Sequence, residues 1–238
     1  GGTFDAESLT CTAESTITVN AAPTVDFCPA SGPMPVYSLT NGVLIHRFVP
    51  GGTREVVSDL TQTISGTLNG LMIDPIKNRL LFHDGSSGIW AYDAGNGGWY
   101  QAATQAGSFP RGGMGRNGVG YLIQGGTETP AVYRVTADAV GYGYTVTSLG
   151  NLTYSHPTEG GNNSGDIAFD ADGIAWISTG FDLYRIDFSQ PGAPVAVRQT
   201  RPVMPGGATT PAWAGVAFDS TGNLVMTALN GTSYSYDF

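Results

Sequence analysis

Short apolar runs alternate with breaks rich in Gly, Asp and Asn along the chain, and none carries a sustained 3.6-residue period. That pattern predicts strands throughout. The most regular of them centre on an aromatic or histidine: Ile45–Val49, Ile89–Asp93, Val132–Thr136, Leu183–Asp187 and Ser233–Asp237. Their second residues fall at 46, 90, 133, 184 and 234, so the intervals are 44, 43, 51 and 50 residues. Repeats of roughly 40–50 residues match one four-stranded propeller blade.

Upstream of these strands lies a second repeat, an apolar strand, an Asp/Gly turn and another apolar strand. It reads Gly70–Asp74 to Arg79–Phe82, Met114–Ile123 around Asn117-Gly118, Ile167–Asp170 to Ile174–Ile177, and Val216–Asp219 to Asn223–Met226. A further strand follows at Arg54–Leu60, Trp99–Thr104, Tyr144–Leu149 and Val195–Thr200, and the first blade begins near Thr24–Phe27 and Val36–Leu39. The expected fold is therefore all-β, a five-bladed β-propeller of four-stranded blades. The fifth blade lacks an outer strand. The unused segment Glu14–Asn20 is expected to supply it, closing the last blade and covering a bare sheet edge. Residues 1–20 then form an arm and ring-closing strand, and 21–238 the propeller. The alternative is that the natural chain runs on and 1–20 belongs to a preceding module.

Composition narrows the function. Only 12% of residues are charged, against about 25% in a usual soluble domain, and 35 are glycine. Nineteen acids against ten bases give a net charge of −9, which disfavours nucleic acid and anionic membranes as partners. No run approaches the roughly 18 apolar residues of a membrane-spanning helix. The start at Gly1 reads as a processed or excised chain. With a single lysine, Lys77, and abundant Gly, Thr and Ser, the chain is expected outside the cell or on its surface. There Cys11 and Cys28 are expected to form a disulfide; two separate buried thiols are the other reading. Sequons occur at Asn151, Asn162 and Asn230, with glycans only if the host attaches them.

Candidate chemistry is sparse. The Asp170–Gly173 run suggests a calcium loop, but the twelfth position of an EF-hand loop is Phe181 rather than glutamate. Turn chemistry explains the recurring Asp better. The Arg111–Gly118 run has no Gly-Lys-Ser/Thr and reads as small residues crowding the propeller axis. No Gly-x-Ser-x-Gly elbow is present. Carboxylates positioned for glycosidase-type acid–base work are Asp166 with Glu159, Asp84 and Asp182. Loops expected to share one face carry His83, Asp84, Arg111, His156, Glu159, Asp182 and Trp213, a set able to bind a ligand such as a glycan.

The run Gly165–Ile177 followed by Leu183-Tyr-Arg-Ile-Asp187, with Phe27-Cys28-Pro29 and Val36-Tyr-Ser38 at the start, resembles a secreted bacterial surface-propeller family of uncharacterised function. The resemblance implies a module of a large cell-surface or adhesin-like protein and carries over no catalytic residue. Gluconolactonase-type propellers share the hairpin, but the positions equivalent to their metal ligands look like Asn69, Gly113, Asp166 and Ala214, which make no cage. The reading that follows is a non-enzymatic extracellular structural or adhesive module of a surface, appendage or filament, without metal or cofactor. It would assemble with other modules or like subunits through its N-terminal arm and propeller faces. A lectin-like propeller is the alternative, and a propeller hydrolase the third.

Overall fold

The structure, a computed structural model, describes residues 26–28, 36–40, 44–48, 55–59, 64, 66–159, 163–199, 201, 204, 210–219, 222–230 and 232–236. Every regular element among them is a strand, and no helix among them is long and apolar enough to cross a membrane. The strands fall into five sheets. The first holds β1 (Val36–Thr40), β2 (Leu44–Phe48) and β3 (Glu55–Asp59); the second β4 (Asn69–Asp74), β5 (Arg79–His83), β6 (Gly88–Asp93) and β7 (Gly98–Thr104). The third holds β8 (Arg111–Met114), β9 (Val119–Ile123), β10 (Ala131–Ala137) and β11 (Tyr144–Asn151). The fourth holds β12 (Thr153–Tyr154), β13 (Ile167–Phe169), β14 (Ala175–Thr179), β15 (Asp182–Ile186) and β16 (Val195–Arg198), and the last β17 (Trp213–Phe218), β18 (Leu224–Ala228) and β19 (Ser233–Tyr236).

The second and third sheets are the four-stranded antiparallel meanders the repeat predicts. The others depart from that uniform blade. Of the expected inner strand of the first sheet, Thr24–Phe27, only Asp26 and Phe27 are among the described residues; neither lies in a strand, and Phe27 and Cys28 bend where the Asn78 side chain accepts the Phe27 amide at 2.8 Å. The fourth sheet gains a fifth strand, because β12 lies parallel to β16 with Thr153 opposite Val195. That strand opens the longest linker between blades, and at two residues it is too short to show a strand period.

Alternation along the strands builds the core. Leu80 and Phe82 of β5 face the first sheet while Leu81 faces the third, so the whole strand is buried. Four such clusters pack successive sheets face to face: Phe27, Tyr37 and Phe82; Met72, Phe109 and Leu122; Ile123, Ile167 and Tyr184; Leu183, Trp213 and Met226. This is a propeller arrangement, and the four interfaces are its extent among the described residues. A closing interface between the last sheet and the first is not among them. The closing segment Glu14–Asn20, the arm and Cys11 lie outside the described residues. No disulfide occurs among those that are described; the Cys28 thiol is partly buried and its pKa is raised by burial and then by Asp26 and Asp74.

Turn chemistry takes the place of metal chemistry at the hairpins. The Asp170 carboxylate accepts the amides of Asp172 and Ile174 and the indole Nε1–H of Trp176, at 3.0, 2.9 and 2.9 Å. Asp219 accepts the amide of Asn223 at 2.9 Å in the same way. The glycines of β8 answer to the axis: a Cβ on Gly112 would meet the Gly70 carbonyl of the second sheet, and one on Gly113 the Ile167 carbonyl of the fourth.

Candidate functional site

Inner strands of a propeller turn one edge toward the axis, so their first residues converge at one end. Arg111, the first residue of β8, is fully buried there. Its guanidinium donates to the carbonyls of Ser164 (3.1 Å) and Gln124 (2.9 Å) and to Thr179 Oγ1 (3.2 Å), fastening the third sheet to the fourth. Asp166, just ahead of β13, is positioned by reciprocal bonds with Ser178: its amide donates to Ser178 Oγ and its carbonyl accepts the Ser178 amide, both at 3.0 Å.

The Asp166 carboxyl meets backbone amides from three inner strands, those of Ile167 (β13), Gly112 (β8) and Val216 (β17). Burial pushes its pKa up to about 8, against the opposing pull of the three amides and of the Arg111 charge. An isolated carboxylate would be ionised at neutral pH; this one holds its proton. The residue as a whole is partly exposed, whereas its carboxyl is enclosed. A perturbed acid at the end of the axis beside a buried cation can deliver or take a proton.

The other sequence-predicted residues divide into two groups. Glu159 and Asp182 come together: Asp182 Oδ1 accepts Arg198 at 2.7 Å and Arg201 at 2.8 Å, its Oδ2 accepts the Glu159 amide at 2.8 Å, and Glu159 reaches the same arginines at 3.2 and 2.9 Å. Burial would raise the Asp182 pKa, but Arg201, the Glu159 amide and Arg198 hold it below the usual value. This network joins loop to sheet and is internally neutral. His156 lies beside it, exposed, with Ser155 Oγ 3.1 Å from its Nδ1.

Structural duties absorb the rest. His83 is fully buried; its Nδ1 accepts the Gly85 amide at 3.0 Å, which leaves Nε2–H to donate to the Gln105 carbonyl at 2.7 Å. Asp84 caps its turn by accepting the amides of Ser86, Ser87 and Gly88 at 2.9 to 3.0 Å. Trp213 is also fully buried, edge-on to Tyr234. It packs the fourth sheet against the last and offers no face to a ligand, which corrects its reading as a sugar platform. Among the described residues no three His, Cys, Asp or Glu side chains are grouped as a metal would require.

No protein-family model and no curated protein matches the chain. Solved structures do. A gluconolactonase from Xanthomonas campestris is 18% identical with a TM-score of 0.55, over 87% of this chain and 72% of that one. A streptogramin B lyase is 16% identical with a TM-score of 0.51, over 89% and 72%. A Bacteroides thetaiotaomicron protein of unknown function is 16% identical with a TM-score of 0.56, and its match covers 84% of this chain but only 55% of its own length. The shared fold is the β-propeller. These neighbours correct the expectation of a non-enzymatic structural or adhesive module, because the architecture is that of proteins named as a gluconolactonase and a lyase. Identities of this size establish the fold and leave chemistry to the residues.

Proposed function

We propose that the chain is a propeller enzyme of the hydrolase or lyase kind, working on a small polar molecule at the axial end around Asp166. The observation that carries this is one carboxyl, met by amides of three inner strands, whose pKa sits near 8. With its proton held at neutral pH, Asp166 acts as a general acid toward a leaving oxygen, and the carboxylate formed is received by the same amides and by the field of Arg111. Positioned acid–base groups of this type contribute about 10²–10⁴-fold to a rate. The name of one fold neighbour, a gluconolactonase, supports lactones as the class to try first. Few charges and one lysine support action outside the cell.

The test is turnover of a panel of lactones and cyclic esters by the parent chain and by Asp166→Asn, with a pH profile. The expected result is activity that falls as pH rises through about 8, the value set by burial of this acid, and that is lost in the variant while the β circular dichroism is kept. Equal activity of parent and variant would overturn the reading.

A further inference from the structure

At the opposite end of the third and fourth sheets, where the β8–β9 and β13–β14 turns and the end of β15 meet, lies a cleft of about 700 Å³. That volume is in the range of small-molecule sites. Register builds it. Tyr121 of β9 stands directly opposite Arg134 of β10, and Val119 opposite Thr136, so all four share the face turned toward the fourth sheet. From the other wall Phe188 stacks on Tyr121, with rings parallel to within 9° and centroids 3.9 Å apart, and Phe169 adds a tilted ring 5.7 Å away. All three rings are only partly buried.

Among the described arginines Arg79, Arg198 and Arg201 are ion-paired, and the exposed Arg185 lies over the Trp176 ring. Arg116 and Arg134, both exposed and both lining the cleft, have no ion pair among the described residues. Three aspartates also line it and keep their charge, so three carboxylates face two guanidiniums; two of the three turn their oxygens to their own turns. Asp187 accepts the Ser189 amide, Ser189 Oγ and Gln190 Nε2 at 2.9, 2.6 and 2.7 Å. Asp170 accepts the amides of Asp172 and Ile174 and the Trp176 indole. Asp172 is exposed at the rim.

We propose that this cleft is a second binding site, distinct from the axial one, for a compact anion: a six-membered ring bearing a carboxylate, its ring against the Tyr121–Phe188 stack and its carboxylate between Arg116 and Arg134. Guanidinium forks match carboxylates in two-point geometry, and aromatic faces accept either a planar ring or the apolar side of a pyranose. Two sources share this chemistry, an aromatic acid and a uronic acid.

The experiment is an NMR titration of the whole chain with 4-hydroxybenzoate and with glucuronate, beside their uncharged counterparts 4-hydroxybenzyl alcohol and methyl glucoside. At least one acid is expected to shift resonances around Tyr121, to bind at least tenfold more weakly in Arg116→Gln and in Arg134→Gln, and to weaken with added salt. Whichever acid binds names the source. Both arginines are exposed, so these variants keep the fold. Binding is expected to persist in Asp166→Asn, which keeps this site's test separate from the axial one. Failure of both acids to bind, equal binding of the uncharged counterparts, or indifference to both arginine substitutions overturns the proposal.

Discussion

Asp166 and Asp182 sit in the same sheet, at the starts of β13 and β15, and are held in opposite states. Burial raises both. At Asp182 two guanidiniums in direct contact and one amide reverse that effect; at Asp166 three amides and the charge of Arg111 do not. Contact with two cations at Asp182 and the heavier desolvation of the Asp166 carboxyl together decide which of the two is ionised. One acid is therefore a strut joining loop to sheet, and the other is free to exchange a proton.

The widest separation expected between the two is catalytic. Asp166→Asn should lower turnover by about 10²–10⁴-fold with little loss of melting temperature, whereas Asp182→Asn should do the reverse. A comparable loss of rate in both would end the contrast. Next in size is Gly112→Ala, which drives a methyl onto the Gly70 carbonyl beside Asp166. A strained close approach of this kind should cost about 2–4 kcal/mol in denaturant unfolding, and a neutral result would mean the inner strands are farther apart than described.

Asp182→Asn should cost about 1.5–3 kcal/mol through its charged hydrogen bonds, and the pH dependence carries the sign. The lowered pKa of Asp182 contributes stability present above the unfolded carboxyl value of about 4 and lost on acidification below it. The raised pKa of Asp166 does the opposite: its contribution is full below about 4 and is lost as pH climbs toward about 8. Melting curves should therefore show Asp166→Asn gaining on the parent between these limits and Asp182→Asn converging with it in acid. The smallest effect belongs to Glu159→Gln. Its carboxylate is exposed on the rim of the network, so melting should barely change and any difference should vanish in salt.

Much of the sheet framework was legible because strand period and turn residues are local properties. The aromatic strands became β2, β6, β10, β15 and β19, and Asp170 and Asp219 cap the turns their spacing implied. β12 was not legible, since a two-residue strand pairing in parallel depends on where the neighbouring blade leaves its edge. At the site, Asp166 was visible as an acid opening an inner strand, but its amide partners come from residues 112, 167 and 216, which only the convergence of three sheets brings together. Trp213 and His83 misled for the converse reason: an aromatic or imidazole on a loop-proximal position looks available until packing buries it. The Tyr121–Phe188 stack left no trace in the one-dimensional pattern, because its rings meet across two blades.

The central claim is the ionisation state of Asp166, and its side-chain carboxyl carbon can be followed by NMR as pH is raised from 3 to 10. A midpoint near 8, set by burial against the amides of Ile167, Gly112 and Val216, is the predicted result. A midpoint near the ordinary aspartate value of about 4 would contradict it.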